Sequence, residues 1–319
     1  MTTNLGDDLI LTYTIRIRKI DKKTCFGATL SARIFATCSY RQELPMQPPI
    51  TLSRLLAAGL AAIALIGALP AHARSLQEIL ESKKIVFGIN PNLPPLGLYD
   101  AKNAIDGFDV SVARKLADAL GVKLEIVPVG SADRVPFLMA DKIDAVMGGM
   151  TRNPDRLKVI DFTDPVNTEV LGVLTTQATT FKDYTQLNDP SVRLVQVRGT
   201  TPVKLIQDQL PKAQLLLLDN YPDAVRAIAQ GRADALIDVL DFMLSYTKNY
   251  STKWRVVDSP IEVDYDCVGI RKGNTALTER LNKEIATLHK MGFIATSWKR
   301  WFGGPMLHDP TAAPAMAAK

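Results

Sequence analysis

Residues 107–127, GFDVSVARKLADALGVKLEIV, contain one helix, its stop and the strand that follows. Val110, Val112, Ala113, Leu116, Ala117 and Leu120 recur at the spacing of an amphipathic helix, and Gly121 ends it. Asp109 stands where an N-cap belongs. Residues 123–127 then read as a strand. Upstream, residues 84–89 (KIVFGI) read as a short buried strand and residues 90–99, with three prolines and a glycine, as a loop. Downstream, residues 134–139 read as a short helix and 145–147 as a strand. Two β-α-β steps thus fit into residues 84–147, the signature of an α/β domain.

The rhythm then repeats. Residues 193–197 read as a strand, followed by Gly199-Thr200-Thr201 and a helix over 202–210 with Pro202 in its first turn. Residues 214–218 read as a strand, 221–230 as a helix closed by Gly231, 235–237 as a strand and 242–248 as a helix. Asp141-Lys142-Ile143-Asp144-Ala145 and Gly231-Arg232-Ala233-Asp234-Ala235 occupy the same place in the two halves, a polar turn entering a buried strand. Extended segments at 172–176 and 265–270 lie between and after the halves, so two crossings are predicted. A closing helix over 277–289 returns to the first half, and residues from Pro305 onward, rich in Ala and Pro, are expected to fray.

The chain has 319 residues, 47% hydrophobic and 22% charged, a packed globular profile with room for two domains. Its net charge of +5 comes largely from residues 1–73, which hold 8 Lys/Arg and 4 Asp/Glu. The rest holds 30 and 29, so charge gives no case for nucleic-acid binding. Cys25, Cys38 and Cys267 form no disulfide framework, and no His/Cys/Asp cluster has metal-ligand spacing, so neither metal nor cofactor is expected.

Residues 55–69, LLAAGLAAIALIGAL, are an apolar run shorter than the roughly 20 residues of a membrane span. Arg54 precedes it, Pro70 ends it, and Ala71-His72-Ala73 follows as a small-x-small cleavage site. A secretory signal over 46–73, opened by Met46 and removed after Ala73, is predicted, with an uncleaved anchor as the alternative. Residues 1–45 are then an over-long start or an N-terminal extension. The mature chain is expected in the periplasm.

Several phrases now stand in order: Gly107-Phe108-Asp109-Val110; Gly148-Gly149-Met150-Thr151-Arg152-Asn153-Pro154-Asp155-Arg156; Asp161-Phe162-Thr163-Asp164-Pro165; Arg198-Gly199-Thr200-Thr201; Gly231 to Ala235; and Trp298-Lys299-Arg300-Trp301-Phe302-Gly303. Together, over residues 76–304, they resemble the family 3 extracellular solute-binding proteins, the amino-acid receptors of ABC importers. The resemblance implies a type II periplasmic binding fold, two Rossmann-like α/β lobes joined by two hinge strands. Lobe 1 would comprise 74–175 and 268–304, lobe 2 residues 176–267, and 305–319 a flexible tail. It implies a monomer that captures an amino acid and presents it to a membrane permease, without chemistry.

By the same resemblance, Arg156 forks onto the ligand α-carboxylate, Thr151 adds a hydroxyl, Gly149 its backbone, and Thr201 stands at a helix N-terminus suited to an anion. From spacing alone, Arg156 could instead form a surface ion pair with Asp155 or Asp161. The family's partner for the α-ammonium falls by count at Val239; Asp238, one before it, is preferred and Asp241, two after it, is second, with an N-cap role as its alternative. The loop after the first strand reads Leu93 where an aromatic is common and Asn90 where an acid is common, so a basic ligand is disfavoured. The rival on the same fold is an exported prephenate or arogenate dehydratase, with Glu169 and Glu262 as cleft-side acids. A sensor domain would need a further domain. His289 and His308, the histidines after residue 73, fall on the closing helix and in the tail, away from the predicted cleft.

Overall fold

A computed structural model describes residues 74–248, 250–257 and 259–313. The expected extension (1–45) and signal (46–73) lie outside the described residues. Helix α1 (Leu76–Glu81) opens on a capping box, in which Ser75 accepts from the Glu78 N–H and Glu78 returns to the Ser75 N–H. There follow β1 (Lys84–Ile89), β2 (Leu98–Tyr99), β3 (Ile105–Asp106), α2 (Phe108–Leu120), β4 (Lys123–Pro128), α3 (Arg134–Met139), β5 (Ala145–Val146) and α4 (Pro154–Leu157). The second half holds β6 (Ile160–Thr176), β7 (Arg193–Val197), α5 (Thr201–Gln209), β8 (Gln214–Leu218), α6 (Tyr221–Ala229), β9 (Ala235–Val239), α7 (Leu240–Thr247), β10 (Trp254–Val257) and β11 (Val263–Arg271). Helices α8 (Thr275–Lys290) and α9 (Phe293–Phe302) close the chain.

Nine strands form one mixed sheet in the order β4-β1-β5-β11-β6-β9-β7-β8, with β10 added to β6, and β2 and β3 pair as a separate hairpin. β1 runs parallel to β4 and β5, and β7 parallel to β8 and β9. Each of these parallel groups is a βαβ unit, and β1 and β7 are almost wholly buried, as strands covered on both faces must be. β6 joins the groups. From Ile160 to Val170 it pairs antiparallel with β11; from Leu171 to Thr175 it pairs with β9. Two α/β lobes joined by the strands β6 and β11 result, as the sequence predicts.

Where the sequence shows two short extended pieces, the structure has strands of 17 and 9 residues. Their length comes from serving both lobes, which no local pattern reveals. Asp109 is not the cap of α2. Gly107 holds that position, and Asp109 sits buried in the first turn because its Oδ2 accepts the Gly148 N–H at 2.7 Å. The segment expected to fray packs in its first part: Thr168 Oγ1 donates to His308 O at 3.1 Å, and Pro310 is buried.

The closing Trp-Lys-Arg-Trp-Phe phrase sends its first tryptophan into the core and leaves Lys299 and Arg300 exposed. Trp298, fully buried, stacks on Phe302 at 3.7 Å and meets Phe108 of α2 edge-on at 5.2 Å. Phe302 also approaches Phe242 of α7 at 5.6 Å, so the aromatic group touches both lobes.

Candidate functional site

The loop after β5 turns sharply through Gly148 and Gly149, both with positive φ. A side chain on Gly148 would begin 2.8 Å from Asn90 Cβ, so only glycine fits against the end of β1. Asn153 then caps α4, its Oδ1 accepting from the Arg156 N–H at 2.9 Å, with Pro154 at the first helical position. This short, well-capped turn aims Arg156 back toward the loop. Its Nη1 donates to Thr151 O at 2.6 Å, and its Nη2 crosses to Gly199 O of lobe 2 at 2.9 Å.

Arg134 of α3 lies beside it, 2% exposed. It donates to Ser131 O at 3.0 Å, Gly148 O at 2.6 Å and Gly199 O at 3.2 Å, and also to Gly149 O. Among the described residues, neither guanidinium pairs with a carboxylate. Burial pushes the Arg156 pKa down to about 10, with the Arg134 charge adding to the effect. Two like charges, Arg134 buried and Arg156 half-buried, bonded only to carbonyls, form a ready seat for an anion. Gly199 lets the lobes meet here: at φ +77, a side chain on it would begin 2.6 Å from the Ala132 backbone.

The lobes enclose a cavity of about 10 Å³, room for about one water. Leu93, Gly149, Thr151 and Glu169 form one wall. Leu171, Thr200, Thr201, Pro202 and Tyr221 form the other, together with Asp238 and Val239. Of the seven residues expected to bind the ligand, five therefore line it: Leu93, Gly149, Thr151, Thr201 and Asp238. Arg156 stands just outside the lining. Asn90 is buried behind Gly148, donating to Ser131 Oγ at 3.1 Å and accepting from the Asn92 N–H at 3.0 Å. The ion pairs considered for Arg156 are absent, since Asp155 pairs with Lys158 at 2.6 Å and Asp161 with Lys272 at 2.8 Å.

Asp238, at the end of β9, is 2% exposed, and its Oδ2 has no hydrogen-bond partner among the described residues. Burial raises its pKa to about 7, an effect the Val239 N–H and Tyr246 only partly oppose. Asp241 lies within the first turn of α7, outside the cavity, and Val239 is that helix's N-cap.

The sequence reading missed Tyr221, Leu171, Thr200 and Pro202 as lining residues, and noted Glu169 only as a cleft-side acid. Glu169 was findable as a charged residue inside the otherwise uncharged stretch PVNTEVLGVL of β6. It is 5% exposed, and its Oε2 accepts from Thr151 Oγ1 at 3.0 Å. Burial raises its pKa well above the ordinary carboxylate range, and Asp266 raises it further. Glu262 does not line the cavity.

A larger groove, about 1210 Å³, runs along α8, α9 and residues 305–313 and contains none of these site residues. His289 lines that groove, its Nε2 2.9 Å from Pro165 O. Cys267 is buried in β11, where desolvation pushes its thiol far up. Among the described residues, no three His, Cys, Asp or Glu side chains could hold a metal ion, and no helix is long and apolar enough to cross a membrane.

Two lobes on a pair of shared strands, meeting over a small polar cavity, define a type II solute-binding fold. The chain matches the bacterial extracellular solute-binding proteins, family 3, over residues 85–304, and it belongs to that family. It is 29% identical over 234 residues to the ABC transporter glutamine-binding protein GlnH of Bacillus subtilis (strain 168), covering 71% of this chain and 84% of that one. It is 28% identical over 225 residues to the ABC transporter arginine-binding protein 1 of Escherichia coli (strain K12), covering 69% and 91%. Among solved structures, an ancestral amino acid-binding protein described as a precursor of cyclohexadienyl dehydratase superposes with a TM-score of 0.67. It is 31% identical, with 71% of this chain and 99% of that chain covered.

Proposed function

We propose that this protein captures an α-amino acid outside the cytoplasmic membrane and delivers it, without chemistry, to the permease of an ABC importer. One observation carries the reading: Asp238, whose buried Oδ2 has no donor among the described residues, lines the same small cavity as Gly149 and Thr151, whose loop carbonyls hold two guanidiniums that pair with no carboxylate among those residues. An α-amino acid supplies both missing partners, its carboxylate toward Arg156 and its ammonium toward Asp238. The amino-acid-binding relatives support this. Entry requires the lobes to part about β6 and β11, and binding draws them together over the ligand. Capture within one chain's cleft makes a monomer sufficient.

We keep the division expected from the sequence, with lobe 2 inserted between the two parts of lobe 1. The change of partner on β6 at Val170/Leu171 supports a first crossing on this strand, a few residues before the expected boundary at 175. A thermal-shift series over the common L-amino acids and prephenate tests the function. A ligand at ~100 times its dissociation constant adds about 2.7 kcal/mol of stability, and at least one amino acid is expected to do so. A second reading, a dehydratase, draws on Glu169, a buried acid in the cavity wall. Stabilisation by prephenate and by no amino acid would favour it.

For the leader, we propose a cleaved signal over 46–73 and a mature periplasmic chain. N-terminal sequencing of protein from an exporting host is expected to begin at Arg74 or Ser75. A mature chain retaining Cys25 or Cys38 would refute this.

A further inference from the structure

Glu169 occupies β6 near the point where that strand passes between the lobes. Its Oε2 is engaged by Thr151, while Oε1 turns toward the cavity side of Gly149, 3.3 Å from where a side chain on that glycine would begin. Asp266 of the neighbouring strand β11 is two residues from Asp264, the register partner of Glu169, and bridges to Thr151, the residue that bonds Glu169, so the two carboxyls are neighbours. Asp266 Oδ2 accepts from Asn167 Nδ2 at 3.0 Å, but its Oδ1 has no such donor. Two neighbouring buried carboxyls share a proton more readily than both ionise. Glu169, as the neutral acid, therefore supplies the donor that Asp266 Oδ1 lacks.

The charges around this pair are unequal. Asp264 shares β11 with Asp266, Asp109 comes from α2, and the cations are Arg134 and Arg156. Asp238 and Tyr221 also line the cavity, and Tyr246 stacks on Tyr221 behind it. The acids outnumber the two guanidiniums. An α-amino acid cancels its own carboxylate against its own ammonium and leaves that excess in place, whereas a cationic side chain removes part of it.

Resting on the amino-acid reading above, we propose that Glu169 receives the side-chain end of the ligand and selects an amino acid bearing a cationic nitrogen, which replaces the proton shared with Asp266. The Glu169 O–H bond breaks and its proton passes to solvent. The carboxylate that remains accepts N–H bonds from the incoming guanidinium or ammonium group. This reverses the expectation drawn from Asn90 and Leu93, which considered only the loop after β1.

Calorimetry of the exported protein with L-arginine and L-glutamine, at pH 7 in phosphate and in Tris, tests the proposal. The expected result is binding of L-arginine at least ~10-fold tighter than L-glutamine, with about one proton released for arginine and none for glutamine. Glu169→Gln is expected to lower the arginine-to-glutamine affinity ratio at least ~10-fold and to abolish the release. Asp266→Asn is expected to lower the release while keeping the preference, because its amide can donate to an already ionised Glu169. Equal affinities in the parent protein, or a ratio unmoved by Glu169→Gln, would overturn the assignment of Glu169 and leave the amino-acid reading standing. Binding of neither amino acid, alongside binding of a carboxylate that lacks an amine, would overturn both.

Discussion

Asp238→Asn is expected to weaken the best amino-acid ligand by about 30- to several-thousand-fold, the equivalent of roughly 2–5 kcal/mol for losing one partner of a buried charge pair. The effect is large because the closed cavity, about 10 Å³, leaves little room for water. Asp238 is 2% exposed, its Oδ2 has no donor among the described residues, and an ammonium enclosed there would have little water to turn to. The matching α-hydroxy acid, which brings no cation, is expected to lose far less. Calorimetric titration of both ligands against parent and variant reads the difference. Equal losses would mean that Asp238 only shapes the wall, and no loss for either would remove the amino-acid assignment.

The free variant should not suffer for this. Asp238 has its pKa raised to about 7 in the folded chain, against about 3.9 in an unfolded one. A carboxyl with a raised folded pKa gives stability that is present below the unfolded value and lost as pH rises through the folded one. Asparagine escapes that loss. The variant is therefore expected to melt no lower than the parent at pH 8, which separates a binding defect from a folding defect.

Arg156→Ala is the second large effect expected, again about 30- to several-thousand-fold in affinity, with the amino acid and its hydroxy analogue affected alike. Both carry the carboxylate that the guanidinium would hold, so equal losses are the signature that distinguishes this position from Asp238. Arg156→Lys keeps a charge but not the planar fork and should fall between parent and alanine. Alanine also removes the bond from Nη2 to Gly199 O, one of the direct contacts that bring lobe 2 against lobe 1. Arg134 still reaches Gly199 O, so closure is weakened rather than abolished. Unchanged affinity for both ligands would reject the carboxylate clamp.

The legible and the illegible parts of this molecule divide by the range of the interactions that make them. Helix α2 could be read from six apolar positions and a stop at Gly121, because amphipathic spacing and a left-handed C-cap are local properties. Strands β1 and β7 could be read because a strand buried on both faces is almost wholly apolar along its length. The capping turn that aims Arg156 is likewise written into consecutive residues, Asn153-Pro154-Asp155-Arg156. Gly149, Thr151, Thr201 and Asp238 could be placed at the cavity because ordered phrases carried them there.

Three things needed the tertiary structure. Asp109 looks like a cap in sequence and is instead the acceptor for Gly148, 39 positions away. Arg134 carries no mark in the sequence, yet it bonds to carbonyls at Ser131, Gly148 and Gly149 and at Gly199 across the cleft. Glu169 and Asp266 become a pair only because β6 and β11 lie side by side between the lobes, their residues nearly a hundred positions apart along the chain. Sequence by itself determined the principal strands and helices of both βαβ groups, their order and the family, since these follow from side-chain periodicity, turn chemistry and contiguous phrases. Only the tertiary structure decided which acids face the cavity and which face one another. A strand shows one face or the other at each residue, and the neighbouring strand, not the local pattern, sets what that face meets.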